Sequence, residues 1–219
     1  LTALMMGNPP DFSSIQVEGI ESISSEDITY SEKLGFCIKL LGIVLKKGGK
    51  FIQRVHPCMI PVTSSISRID DVKNAIFVEG NFIGPLVLEG LGAGAGPTAS
   101  AVVSDLIDIS NGNFIPPFGC KLESENHTEK LDTDRFGPWY IRLEVIDQPG
   151  VLAEIAAELK NQSVSIESVL QRGRAPGECV SLIITTHETN EKKFKIAMEK
   201  IKKLNALTEP PCMIRIENF

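Results

Sequence analysis

No CxxC pair, no close histidine spacing and no long apolar run occurs in this chain, and each absence removes a class of function. The five cysteines (Cys37, Cys58, Cys120, Cys179, Cys212) are dispersed, and His56, His127 and His187 lie far apart. Neither set has the spacing of a metal site, so no metal ligands are expected. An odd, scattered set of thiols in 219 residues reads as reduced rather than as a disulfide framework, and the expected compartment is the cytoplasm. No run reaches membrane-spanning length, and no signal peptide is visible. Positive charge is in deficit: 22 Lys and Arg face 28 Asp and Glu, for a formal net charge of −6. That balance argues against nucleic acid or a membrane surface as partner. An initiator Met is missing too. Leu1-Thr2-Ala3-Leu4-Met5-Met6-Gly7 reads as the last turns of a helix closed by Gly7, so the chain is expected to be the C-terminal piece of something longer.

What is present is ample apolar content, 42% of residues, and a length that suits two domains. One stretch stands out. Gly90-Leu91-Gly92-Ala93-Gly94-Ala95-Gly96 alternates glycine with small residues, and Pro97 and Thr98 then open a helix that Ala101, Val102, Asp105 and Leu106 continue. Glycine lets the backbone approach a ligand closely, and free N–H groups at a helix start attract anions. A tight strand-to-helix turn would use the same residues. The spacing is not the dinucleotide fingerprint, and no run of parallel strands follows.

Ser24 and Asp27 resemble a capping box opening a helix over 25–34. Strands are expected over 36–45 and 51–57 around the turn 46–50, then over 74–79 and 85–91, the last delivering the glycine loop. Helix, hairpin, hairpin, helix implies a largely antiparallel sheet with helices on one face. Lys39 in its apolar run is read as snorkelling, His56 as a strand-end residue, and Glu18 as part of a turn.

Residues 111–138 turn polar and lose periodicity, which marks a linker between domains at 1–110 and 139–219. Within it, 120–122 is a candidate short strand. After it, Trp139 to Ile146 alternates as a half-buried strand, and Val151, Ile155, Ala156 and Leu159 form one helical stripe. Strands over 164–171 and 178–186 follow. A helix over 190–204 buries Phe194, Ala197, Met198, Ile201 and Leu204 and turns Glu191, Lys192 and Lys195 to water. A strand over 212–216 completes a β-α-β-β-α-β, ferredoxin-like order within an α+β chain. The loop 147–150, at the start of the first helix, has N–H groups suited to a carboxylate, although ordinary capping would look alike.

Asp147-Gln148-Pro149-Gly150-Val151-Leu152, with Ile155-Ala156 and then Ile166, resembles the opening of an ACT domain, a small-molecule sensor. The likeness spans 139–219. It implies an amino-acid effector, expected to be L-threonine, held by Asp147, Gln148, Gly150, Val151, Leu152, Asn161 and Ile166, often between two copies. The first half resembles part of the catalytic domain of homoserine dehydrogenases. The marks are Val17-Glu18-Gly19-Ile20 with Asp27, Leu34-Gly35-Phe36, Arg54-Val55-His56-Pro57, Val78-Glu79-Gly80, Gly84-Pro85, and Gly92-Ala93-Gly94 with Pro97-Thr98-Ala99-Ser100-Ala101.

That resemblance implies NAD or NADP as cofactor and interconversion of L-homoserine and L-aspartate 4-semialdehyde. Gly94, with Gly92 beside it, is the implied nucleotide contact, and the partner is a second copy in at least a dimer. The family's nucleotide domain and its Asp-x-x-x-Lys motif have no counterpart here, so no catalytic residue is assigned and no hydride transfer is expected. Without that domain the apolar face of the glycine-loop helix should be exposed or covered by a partner. A stand-alone amino-acid sensor and a purely structural dimer are the alternatives. Because a polar linker transmits poorly, any feedback is expected to travel between subunits.

Overall fold

The computed structural model describes residues 2–3, 12–47, 50–114, 135–171 and 176–219. They form two compact units: Ser14–Pro61 with Thr128–Asn218, and Leu1–Ser13 with Val62–His127 and Phe219.

The larger unit is built on one seven-stranded sheet. Its second-half strands are β7 (Trp139–Ile146), β8 (Ile166–Gln171), β9 (Cys179–Thr186) and β11 (Cys212–Ile216), in the spatial order β11-β7-β9-β8, all antiparallel neighbours. Helices α3 (Val151–Asn161) and α4 (Glu191–Ile201) cover one face. Alternation along β7 sends Trp139, Ile141, Leu143 and Val145 into that layer. There they meet Ile155 and Leu159 of α3 and Phe194, Ala197, Met198 and Ile201 of α4, all buried. Burying each large apolar side chain contributes about 1.5–3 kcal/mol, so this interleaving is the main source of the unit's stability. This is the ferredoxin-like arrangement that the sequence pattern implies. Two minor strands, β6 (Phe136–Gly137) and β10 (Thr189–Asn190), pair alongside. Of the expected linker, residues 115–134 lie outside the described residues, and with them the candidate strand at 120–122.

The sheet does not stop at β11. Strand β3 (Lys50–Pro61) pairs with it in parallel, Arg215 opposite Cys58 and Ile216 opposite Met59. β1 (Gln16–Val17) pairs in parallel further along the same edge of β3, and β2 (Phe36–Lys47) runs antiparallel along its other edge from Phe36↔Pro61 to Lys47↔Lys50. The first-half hairpin therefore extends the second-half sheet instead of joining a separate one.

On the face away from α3 and α4 lies α1 (Ser25–Lys33). Ser24 opens it: the Ser24 hydroxyl accepts from the Asp27 N–H at 3.3 Å, and the Ser24 N–H donates to the Asp27 carboxylate at 2.8 Å. Tyr30 then joins Met59, Tyr140, Ile183, Ile214 and Ile216 in a second apolar layer.

The smaller unit holds the hairpin of β4 (Lys73–Gly80) and β5 (Gly84–Leu91), followed by α2 (Ala95–Ser110). Phe77 packs its ring 5.8 Å from Phe219. No residue of α2 is buried within this chain: Val102, Val103, Leu106, Ile107 and Ile109 are each more than half exposed.

Candidate functional site

The loop 147–150 is stitched to the start of β9. The Asp147 N–H donates to the Glu178 carbonyl at 2.8 Å, and the Gly177 N–H donates to the Asp147 carbonyl at 3.0 Å. Gly150 caps α3 at φ +99°, a left-handed conformation that costs any other residue, and no side chain caps the helix. The Val151 N–H donates to the Gln148 carbonyl at 3.4 Å, and the first-turn N–H groups that follow it have no side-chain cap beside exposed Gln148, Pro149 and Gly150. Val151 points into the core, while Leu152 is 42% exposed. Asn161, also exposed, closes α3 at its far end, about 16 Å along the axis for an 11-residue helix. Half-buried Ile166 starts β8 beyond it. Asp147, Gln148, Gly150, Val151 and Leu152 are thus brought together, and Asn161 and Ile166 are set apart from them within one chain.

Gly94 caps α2 at φ +122°, again with no side-chain cap, and is exposed like Gly92. A Cβ at Gly92 would overlap the Asn74 amide. The Gly92 N–H donates to the Val72 carbonyl at 2.7 Å. Helix α2 starts at Ala95, two residues before the expected Pro97. The exposed, uncapped start of α2 behind small residues suits contact with one edge of a phosphate-bearing group. No group of three or more His, Cys, Asp or Glu able to hold a metal occurs among the described residues, and no helix among them is long and apolar enough to cross a membrane.

Two charged networks in the larger unit escape sequence reasoning. The first centres on Asp27, fully buried although it sits in the first turn of α1. It accepts from the Tyr140 hydroxyl at 2.9 Å and from Arg142 at 2.8 and 3.2 Å. Burial alone would raise its pKa, but Arg142 and the Ser24 cap bring it below the usual carboxylate value. Arg142 also donates to Glu144 at 2.8 Å, and Ser181 bridges Glu144 at 2.9 Å to Glu26 at 3.0 Å.

The second centres on Arg215, 2% exposed. It donates to both oxygens of Glu18 at 2.6 and 2.7 Å and to Glu191 at 2.7 Å. Its guanidinium lies 4.8 Å from the Trp139 ring, and that ring stacks on Phe194 at 4.2 Å. Arg135 adds a bond to Glu217 at 2.8 Å, and Arg54 reaches the same carboxylate at 3.4 Å. Glu191 does not face water as its place in the charged helix pattern implies; it is 1% exposed, drawn inward by Arg215. Burial opposes its ionisation, yet Arg215 and Lys195 hold its pKa down at about 2. Glu18 does more than shape a turn, and Arg215, its strongest partner, lowers its pKa. His56 lies inside β3 rather than at a strand end, with Nδ1 3.1 Å from Cys58 Sγ. The pair is chemically quiet. Burial, helped by the Arg215 charge, lowers the His56 pKa to about 4, and burial pushes the Cys58 thiol up to about 12.

The homoserine dehydrogenase family matches residues 1–107, and the ACT domain family matches residues 139–206. A homoserine dehydrogenase of Neisseria gonorrhoeae is 38% identical over 226 residues, covering 100% of this chain and 52% of that protein. Another from Helicobacter pylori is 35% identical over 218 residues, with the same coverage of each. The crystal structure of a homoserine dehydrogenase from Thiobacillus denitrificans superposes with a TM-score of 0.82 at 34% identity, covering 99% of this chain and 51% of that one. The chain spans about half the length of the curated relatives it matches. It belongs to the homoserine dehydrogenase family and carries an ACT domain behind the dehydrogenase segment.

Proposed function

We propose that this chain is the part of a homoserine dehydrogenase that joins the subunits and senses an amino acid, in an enzyme that interconverts L-homoserine and L-aspartate 4-semialdehyde with NAD or NADP. One observation carries the reading: the dehydrogenase-matched and ACT-matched segments follow each other in a single chain, and strands from both build one sheet. The cofactor supplies hydride chemistry when bound. This chain's part in holding it is the loop at Gly92 and Gly94, which places backbone rather than side chains against the nucleotide. The exposed apolar residues of α2 fit a helix that packs on a further domain.

The effector in this reading is L-threonine. Its carboxylate lies on the open N–H groups of α3 at loop 147–150, beside Val151 and Leu152. Asn161 and Ile166, at the far end of α3, reach the effector from a second copy, so the site forms between chains of a homodimer or larger assembly in the cytoplasm. The 219 residues contain no Asp-x-x-x-Lys pair assigned to proton transfer, so the polypeptide alone is expected to oxidise no NADPH when given L-aspartate 4-semialdehyde. A spectrophotometric assay at 340 nm checks this, and turnover that rises in proportion to the concentration of this chain would refute it.

A further inference from the structure

We infer that occupancy of loop 147–150 is passed to the dehydrogenase segment inside one chain, through Glu144, Arg142 and Asp27 to the first turn of α1. The inference rests on the reading of that loop as the amino-acid site, and it offers a route within one chain beside the expected one between subunits.

The route consists of bonded contacts. The loop is tied to the start of β9 by the exchange between Asp147, Gly177 and Glu178. The next residues of β9 meet Glu144: Ser181 donates to both its oxygens at 2.9 and 3.1 Å, and Cys179 Sγ lies 3.7 Å from one of them. Glu144 accepts from Arg142, and Arg142 grips both oxygens of Asp27. Ser181 also reaches Glu26 directly. Glu26 and Asp27 are the acidic first turn of α1, within the dehydrogenase-matched residues, whereas Arg142, Glu144 and Ser181 are in the ACT-matched ones.

A contact chain transmits only if it ends on an element with two states. Helix α1 is assigned that role. Its nine residues are too few for stability on their own, and only Asp27, Tyr30 and Ser31 are buried. One carboxylate, Asp27, both completes the capping box and takes the ion pair. A shift of Glu144 that moves Arg142 changes two supports of the same turn, so α1 docks or frays as a unit. From α1 the chain runs directly into β2, which pairs along the full length of β3.

Hydrogen–deuterium exchange on the 219-residue chain tests this, with L-threonine as probe and calorimetry on the same sample. Threonine is expected to change exchange of the first-turn amides of α1 by about fivefold or more. In Arg142→Lys, which keeps the charge but loses the two-pronged grip, threonine should still bind and leave α1 unchanged. Coupling is reciprocal, so Arg142→Lys without ligand should also alter exchange at 147–150. Threonine heat with unaltered α1 exchange would overturn the route. Absence of heat would overturn the effector reading instead, and the ligand-free comparison would then decide the route: unchanged exchange at 147–150 in Arg142→Lys would overturn it.

Discussion

Asp27→Ala is expected to lower the stability of the larger unit by about 3–5 kcal/mol, the usual cost of breaking a buried ion pair from one side. The reason is the number of groups left without a partner. Arg142 keeps Glu144 but loses its two-pronged acceptor, the buried Tyr140 hydroxyl loses its acceptor at 2.9 Å, and α1 loses its capping box. Loss of a cap alone costs about 1 kcal/mol. Tyr140→Phe, which removes one neutral donor to the same carboxylate, should cost about 1 kcal/mol. The protein's single tryptophan, Trp139, lies in this unit and reports its unfolding by fluorescence in urea. Equal midpoints for Asp27→Ala and Tyr140→Phe would show that the Arg142 pair contributes nothing and that α1 is held by its apolar contacts, Tyr30 with Ile23 and Leu34.

Arg215→Met is expected to cost a similar amount at pH 7, about 3–5 kcal/mol, because it leaves Glu191, 1% exposed, with only half-exposed Lys195 as its cation among the described residues, while Glu18 can turn to water. The pH dependence separates this from a simple packing defect. The Glu191 pKa is about 2 in the fold and that of Glu18 is lowered, against about 4.3 for an unperturbed Glu. Their stabilisation is therefore complete above about pH 4.3 and disappears as the pH falls toward 2. In Arg215→Met the buried Glu191 carboxyl is more readily protonated, so the deficit relative to the parent chain should shrink over that interval. A separate step comes from His56, kept neutral in the fold with a pKa of about 4 against 6.5 when unperturbed. The unfolded chain takes up that proton first, so stability should fall as the pH drops from 6.5 to 4. Fluorescence-monitored unfolding from pH 7 to pH 2 measures both. A deficit for Arg215→Met that is constant across that range would contradict the ion-pair account.

Local pattern made much of this architecture readable. The alternation of Trp139, Ile141, Leu143 and Val145, and the helical stripe of Phe194, Ala197, Met198 and Ile201, each announce which face they bury, because side-chain direction repeats with period 2 or 3.6. Ser24 and Asp27 announce the start of α1 by their spacing. The parallel pairing of β11 with β3 was not readable. It joins residues 58 and 215 by backbone hydrogen bonds, and such a pairing leaves no periodic trace in either segment. The charged networks were hidden for a related reason. Arg142, Glu144 and Arg215 occupy ordinary alternating positions, and Glu191 sits in a helix rich in lysine, so each reads as solvent-facing until the fold supplies a partner distant in sequence. At loop 147–150 the resemblance supplied the residues, and the structure adds the left-handed Gly150 and the tie of Asp147 to Gly177 and Glu178, which spacing does not show. The glycine loop carried its backbone requirement in its composition, and the positive φ of Gly94 is that requirement made visible.

The account stands most directly on whether the ACT-matched half takes up an amino acid. Titration calorimetry of the 219-residue chain with L-threonine should give a saturable heat, and Gly150→Ala, which strains the φ of +99° at the start of α3, should weaken it at least tenfold. No heat from L-threonine or any other proteinogenic amino acid, at concentrations up to about 10 mM, a range that covers the weak end of ligand affinities, would contradict the reading of this chain as a sensor.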